Sequence, residues 1–93
     1  MLKFTDLDQQ YPEKRSADER KADFSEVYEN FIKSNAKEQS SRCSQCGVPY
    51  CTVHCPLHNH IPDWLKLAAE DRLEEAYSIS SSTNNMPEIC GRI

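Results

Sequence analysis

Residues 42–56 read R-C-S-Q-C-G-V-P-Y-C-T-V-H-C-P and hold four of the five cysteines of the chain, Cys43, Cys46, Cys51 and Cys55. Soft thiolate ligands select zinc, copper(I) and iron–sulfur clusters, so thiols this close in sequence are typical of a metal site. Because five is an odd number, these cysteines fit a complete set of disulfides poorly. The stretch therefore predicts a metal centre that helps to hold a short chain together.

The spacing C-x2-C-x4-C-x3-C-P favours an iron–sulfur centre. It is similar to the bacterial ferredoxin run C-x2-C-x2-C-x3-C-P, in which three cysteines bind one cluster and the fourth binds another. By that analogy, Cys43, Cys46 and Cys51 share one 4Fe-4S cluster. Cys55 then belongs to a second cluster.

Zinc is the alternative metal. The first two cysteines with the glycine that follows them, C-x2-C-G, are also typical of half a zinc knuckle. Three histidines are near enough in sequence to supply nitrogen ligands, namely His54, His58 and His60. Structural zinc sites usually take their ligands as two separated pairs, whereas this run is continuous. In this second interpretation the chain is a zinc-stabilised helical module that binds a protein partner.

Composition limits the classes of protein that remain. The 93 residues form one small domain at most, and the net charge of −4 argues against a nucleic-acid partner. The opening MLKFTDLDQQ lacks the apolar stretch of a secretory signal, and no apolar run approaches the roughly 20 residues that span a bilayer. We therefore expect a cytoplasmic protein without a membrane partner. With only two glycines, the chain contains neither a dinucleotide fingerprint nor a P-loop.

The apolar pattern predicts an all-α fold, with an N-terminal arm over residues 1–15 and a helical domain over residues 16–93. Ser16 and Glu19 form a capping box that opens a first helix, and the apolar stripe that follows extends this helix to about Lys33. Ser34 caps a second helix that ends near residue 42. Gly47, just beyond it, is free to adopt a positive φ.

The prolines of the cysteine segment predict that it wraps in turns instead of continuing as a helix. Pro62 predicts the first residue of a third helix, and Asp71 with Glu74 predicts the capping box of a fourth. Residues 80–85 read as a polar linker. Six apolar or aromatic residues on these helices are expected to form the core: Phe24, Tyr28, Phe31, Trp64, Leu67 and Tyr77.

Four strings in order point to a family: D-F-S-E-V-Y at 23–28, R-C-S-Q-C-G-V-P-Y-C at 42–51, C-P-L-H-N-H-I-P-D-W-L at 55–65 and T-N-N-M-P-E-I-C-G-R-I at 83–93. From about residue 12 onward the chain resembles the N-terminal iron–sulfur domain of the small (β) chain of NADPH-dependent glutamate synthase. A similar domain opens dihydropyrimidine dehydrogenase and related NAD(P)H-dependent flavoproteins. Another flavoprotein of this kind therefore stays open as an alternative.

The resemblance implies a helical domain with two 4Fe-4S clusters, for which Cys43, Cys46, Cys51 and Cys55 are the ligands carried over. It also implies FAD- and NADPH-binding domains downstream in the same polypeptide. Electrons from NADPH would pass through FAD and the clusters to the large (α) chain, where FMN supports glutamate formation from glutamine and 2-oxoglutarate. The resemblance thus implies part of an oxidoreductase, and the 93 residues alone are not expected to be catalytic.

The end of the chain is a departure from the family pattern. Members of the family continue past the position of Ile93 with three more cysteines that complete both clusters. We therefore expect this chain to be a domain truncated at its C-terminus, in which clusters are absent or incomplete. The resemblance also implies that Cys90 is dispensable as a ligand.

Overall fold

The computed structural model describes residues 1–92, and within them the fold is all-α, as the sequence predicts. A short 3-10 helix, Lys3–Thr5, comes first. The α-helices that follow are α1 (Ala17–Ala22), α2 (Lys33–Ser40), α3 (Tyr50–His54), α4 (Ile61–Ala69), α5 (Leu73–Ser80) and α6 (Pro87–Arg92). Over the same residues, β-structure amounts to a single antiparallel bridge between Lys14 and Tyr28. None of the described helices is long and apolar enough to cross a membrane.

Helix α4 is the central element of the fold. It packs most extensively against α5, then against α2, and makes a smaller contact with α3 in the cysteine segment. Pro62 lies in its first turn, where a fixed φ fits the helix and the missing N–H costs no hydrogen bond. The predicted start of this helix at Pro62 is correct to within one residue. Because α3 contacts α4, the cysteine segment lies beside the centre of the domain.

Helix α1 begins where the sequence predicts and ends much earlier. The Ser16 side chain accepts a hydrogen bond from the N–H of Glu19 at 3.3 Å, which confirms Ser16 as the N-cap. The predicted continuation to about Lys33 is wrong. The helix ends at Ala22, because Asp23 is extended, with φ −148° and ψ 177°.

Contacts with the segment before α1 explain this early end. Arg15 donates to both carboxylate oxygens of Asp23, at 3.1 and 2.8 Å, and to the carbonyl of Glu26 at 2.6 Å. The hydrogen bonds from Arg15 lower the pKa of Asp23. The backbone N–H of Arg15 also donates to the carbonyl of Val27 at 2.8 Å. Since this extended pairing uses the backbone groups that a helix would need, the helix cannot continue through these residues.

Helix α2 is shifted from its predicted position. The sequence predicts a cap at Ser34 and an end two residues later than the observed one. The N-cap residue is in fact Ile32, whose side chain has no atom that accepts a hydrogen bond. An ion pair anchors this end of the helix instead, with Lys33 Nζ 2.8 Å from Asp71 Oδ1 in the turn after α4.

The cysteine segment contains a helix that the prolines do not predict. Helix α3 forms because the carbonyl of Pro49 accepts hydrogen bonds from the N–H groups of Thr52 and Val53, both at 3.0 Å. A proline has no N–H to donate, but its carbonyl still accepts a hydrogen bond. Pro49 can therefore stand immediately before a helix. The predicted positive φ at Gly47 is also wrong, and Gln45 adopts the positive φ, at 51°.

The predicted capping box of α5 does not form. Asp71 lies in the left-handed region at φ 65°, and the N-cap is Arg72, without a side-chain cap bond. Arg72 instead donates to the carboxylate of Glu75 through two nitrogens, at 2.8 and 2.5 Å. After a turn-rich polar stretch comes α6, which the sequence does not predict and which begins at Pro87.

The hydrophobic core is thin. Ala76, 7% exposed, is the only buried hydrophobic residue in the part of the chain that the structure describes. The predicted core is therefore wrong. Phe24, Tyr28 and Tyr77 are exposed, while Phe31, Trp64 and Leu67 are half-buried. The radius of gyration of 14.8 Å also exceeds the roughly 12 Å of a compact domain of this length. With so little apolar burial, polar contacts carry much of the specificity of this fold.

Candidate iron–sulfur site

Three of the four predicted ligands lie on one cavity of about 420 Å³. Cys43 follows the end of α2, Cys46 lies in the next turn, and Cys51 belongs to α3. Apolar wall residues of this cavity are Phe4, Ile61 and Leu65. Cofactor sites are typically about 300–1,000 Å³ and mostly apolar, with a few placed polar groups. Three thiols on a cavity of this kind fit an iron–sulfur cluster in size and in ligand chemistry.

Two side chains make hydrogen-bond contacts with the sulfurs of this first cavity. The Oγ of Ser44 is 3.1 Å from Cys46 Sγ, and Nε2 of Gln45 donates to Cys43 Sγ at 3.3 Å. Hydrogen bonds to ligand sulfurs stabilise thiolate charge and help to set the potential of a bound cluster. The residues between the first two cysteines are thus part of the site although they are not ligands.

The fourth predicted ligand, Cys55, faces a separate set of backbone donors. The N–H groups of Asn59 and Leu57, with a smaller effect from His58, lower the pKa of the Cys55 thiol. His58 adopts a positive φ of 50°, so the backbone turns back towards the sulfur after Cys55. This concave group of N–H donors favours the thiolate, the form of cysteine that binds metal.

Cys55 lines a second cavity, of about 500 Å³, that also contains Cys90 of helix α6. The resemblance sets Cys90 aside as a ligand, yet the fold places it on the same cavity as Cys55. Ile61 lines both cavities, so they are neighbours on the two sides of the first residue of α4. The structure therefore places Cys43, Cys46 and Cys51 on the wall of one cavity and Cys55 on the wall of another.

Asn59 connects this second cavity to the rest of the domain and is only 8% exposed. Its Nδ2 donates to the carbonyl of Ser80 at 2.8 Å and to Oγ1 of Thr83 at 3.3 Å. Its Oδ1 accepts a hydrogen bond from Trp64 Nε1 at 3.0 Å. One buried amide thus ties the loop after Cys55 to α4 and to the end of α5.

The N-terminal segment belongs to the site, which the sequence does not predict. The N–H of Leu2 donates to the carbonyl of Cys43 at 2.8 Å, and the N–H of Lys3 donates to that of Ser41 at 3.1 Å. Phe4 then contributes to the wall of the first cavity. The signal in the sequence is weak: four apolar residues, among them Leu2 and Phe4, are scattered through the first ten residues.

The histidines of the zinc alternative are not gathered into a preformed site. Across residues 1–92, no three His, Cys, Asp or Glu side chains are grouped so as to hold one metal ion, and this holds for the cysteines of the first cavity as well as for the histidines. The ring of His54 instead stacks on that of Tyr50, with 6.2 Å between the ring centroids and 20° between the planes. All five cysteines are free thiols.

An all-α scaffold with thiols on two neighbouring cavities defines a small helical domain whose cysteines are available to a cofactor. The family model described as dihydropyrimidine dehydrogenase domain II, 4Fe-4S cluster, matches residues 20–93. The chain belongs to this family of iron–sulfur domains. The match covers every cysteine of the chain.

Individual relatives show which proteins of this family the chain is similar to. The chain is 61% identical over 93 residues to the glutamate synthase (NADPH) small chain of Azospirillum brasilense, covering all of this chain and 19% of the relative. It is 50% identical over 93 residues to the protein of the same name from Escherichia coli (strain K12), covering all of this chain and 20% of the relative. It is also 41% identical over 83 residues to the putative oxidoreductase AegA of that organism, covering 88% of this chain and 13% of the relative. The chain thus spans about a fifth, or less, of the length of these curated relatives.

Proposed function

We propose that the chain is the iron–sulfur electron-transfer domain of the small chain of an NADPH-dependent glutamate synthase. The observation that carries the proposal is the 61% identity to such a small chain over all 93 residues. Membership of a family described by its 4Fe-4S cluster supports the same role. When bound, iron–sulfur clusters accept and release electrons at potentials that their surroundings set.

In this proposal, Cys43, Cys46 and Cys51 hold one 4Fe-4S cluster and Cys55 is a ligand of a second. The separation of these cysteines between two cavities supports the assignment. Ile61 lines both cavities, so two groups held there are neighbours, as an electron relay requires. Hydrogen bonds donated to Cys43 and Cys46 would help to set the potential of a cluster bound there.

The rest of the proposed electron path lies outside these 93 residues. FAD and NADPH bind to other domains of the same polypeptide, and electrons leave for an FMN-containing large (α) chain that forms glutamate from glutamine and 2-oxoglutarate. The chain covers 19% and 20% of the length of two relatives, which supports the assignment of FAD and NADPH binding to other domains. Residues 16–93 are then the iron–sulfur domain, in a cytoplasmic enzyme where thiols remain reduced.

Single cysteine substitutions test the proposed division between clusters. The experiment uses the full polypeptide that contains these 93 residues, purified without oxygen, and measures iron, labile sulfide and the EPR spectrum after reduction by NADPH. Unsubstituted protein should contain two clusters. Cys51→Ser and Cys55→Ser should each lose one, and the EPR signals that remain should differ because different clusters are lost.

Cys90→Ser makes the same change at a cysteine of the second cavity that the resemblance does not assign as a ligand, and it should keep both clusters. Loss of the cluster that Cys55→Ser loses would instead make Cys90 a ligand. Loss of the same EPR signal from Cys51→Ser and Cys55→Ser would contradict the division between the two cavities. Zinc in place of iron in the unsubstituted protein would overturn the electron-transfer function and favour a zinc-stabilised binding module.

A second candidate is the same domain in a different NAD(P)H-dependent flavoprotein. The 41% identity to a putative oxidoreductase favours it as the alternative. An assay of NADPH-dependent glutamate formation from glutamine and 2-oxoglutarate, with the large chain present, separates the two candidates. Clusters that NADPH reduces without any glutamate formation would favour the alternative.

A further inference from the structure

We propose that Gln45 is a positioning residue of the first cluster, the one assigned above to Cys43, Cys46 and Cys51, and that its side-chain amide raises the reduction potential of that cluster. This inference rests on the proposed iron–sulfur function. It gives a role to a side chain that is not itself a ligand.

A single amide nitrogen bridges the cysteine segment and the central helix. Nε2 of Gln45 donates to Cys43 Sγ at 3.3 Å and to the carbonyl of Pro62 at 2.7 Å. An amide nitrogen has two hydrogens, so these two partners account for its full donor capacity. Because Pro62 lies in the first turn of α4, the amide holds the sulfur at a defined place against the most packed element of the domain.

The contact with Pro62 also determines which way the amide points. A carbonyl oxygen can only accept a hydrogen bond, so the atom 2.7 Å from it must be the nitrogen of Gln45 and not the oxygen. The same nitrogen faces Cys43 Sγ. A donor, and not an acceptor, is therefore held against the sulfur.

The backbone of Gln45 is in a conformation that a glutamine rarely adopts. Its φ is 51°, in the left-handed region that favours glycine, while Gly47 two residues later has no positive φ. Such strain persists where the surrounding structure compensates for it, often at functional sites. Here the two hydrogen bonds of the half-buried side chain are the compensating contacts.

Electrostatics gives the direction of the effect. Reduction adds negative charge to a cluster and to the thiolates that bind it. A hydrogen bond donated to such a sulfur stabilises the reduced form more than the oxidised form, which raises the potential. Removal of the donor should therefore lower the potential of the cluster that Cys43 ligates.

Gln45→Met tests this role, because methionine has a similar length and carries no N–H donor. The full polypeptide that contains these residues, purified without oxygen, is titrated electrochemically while the EPR signal of each cluster is followed. At a fixed potential, we expect the ratio of reduced to oxidised first cluster to fall about threefold, which is about 28 mV for one electron. Gln45→Lys, which restores a donor, should return the potential to the unsubstituted value or above it.

The matched control is Gln9→Met, since Gln9 is exposed, donates to Tyr11 and is not among the residues that line either cavity. This control should leave both potentials unchanged. An unchanged first-cluster potential in Gln45→Met would overturn the inference, and so would an equal fall in Gln45→Met and Gln45→Lys. Loss of the first cluster from the methionine variant but not from the lysine variant supports a positioning role, whereas its loss from both overturns that role. Unsubstituted protein without any cluster would instead overturn the proposed function itself.

Discussion

Replacing Asn59 with leucine removes the polar network that joins the cysteine segment to the C-terminal part of the fold. The two side chains are similar in size, but leucine neither donates nor accepts hydrogen bonds. The change deletes the bonds from Nδ2 to Ser80 and Thr83 and the bond from Trp64 to Oδ1. All three partners keep their polar atoms, and they lose a buried partner that is only 8% exposed.

The expected cost follows from this count of bonds. Each hydrogen bond of this kind contributes about 1 kcal/mol to the free energy of unfolding, so the loss of three costs about 3 kcal/mol. A domain of this size has a urea m-value of about 1.5 kcal/mol per molar. The midpoint of urea unfolding should therefore fall by about 2 M in Asn59→Leu. A loss of about 3 kcal/mol is a large fraction of the total stability of a small domain with little apolar burial.

Trp64 provides the assay, since it is the only tryptophan of the chain and a partner of Asn59. Its fluorescence can be followed during urea unfolding of the cluster-free chain. Asn85→Leu makes the same chemical change at an exposed position and should shift the midpoint by less than about 0.3 M.

A midpoint in Asn59→Leu that is the same as in Asn85→Leu would refute the reasoning. It would mean that the Asn59 bonds contribute nothing net to stability, and that water replaces them at no cost when they are lost.

Three further outcomes are expected. In the folded chain, the hydrogen bond from Lys33 lowers the pKa of Asp71 from its ordinary value of 3.8. The ion pair therefore stabilises the fold above pH 3.8, and this contribution is lost as the pH falls through the lower pKa of the folded state. Lys33→Met removes the ion pair. The difference in Tm between Lys33→Met and the unsubstituted chain should therefore be present at pH 7 and vanish in strong acid; the same difference at both would contradict the pairing. Ser16→Ala removes a helix cap worth about 1 kcal/mol, and amide hydrogen exchange in α1 should become about fivefold faster while that in α4 is unchanged. Phe24→Ser should change the free energy of unfolding by less than about 0.5 kcal/mol, because the side chain is fully exposed; a larger loss would indicate that Phe24 is packed.

Short-range chemistry made part of the fold predictable. Ser16 caps α1 because its hydroxyl reaches an N–H three residues away, and Pro62 opens α4 because its ring pre-sets φ. Both effects depend on neighbouring residues alone. The cysteine spacing is local in the same sense, and the family match to residues 20–93 confirms that it belongs to a 4Fe-4S domain.

Long-range contacts made the other part unpredictable. Phe24 and Val27 have helical spacing, but Arg15 binds Asp23 and the backbone near Val27, which keeps that segment extended. Asp71 stands where the sequence predicts a helix cap, but it forms an ion pair with Lys33, a residue distant in the chain. In each case a partner far away in sequence outweighed a local preference of similar size.

The run of four cysteines and the all-α class can be read from residues 42–56 and their flanking motifs, because ligand chemistry and helix periodicity are properties of short stretches. The division of these cysteines between two clusters stays a prediction of their spacing. The approach of the N-terminal segment to the first cavity, the place of Cys90 on the second and the bridge from Gln45 to Pro62 required the folded chain. Each joins residues that the sequence separates, and their proximity depends on the packing of α2, α3 and α5 around α4. A linear pattern can specify which atoms bind a metal, but the packed helices determine which cavity each of those atoms faces.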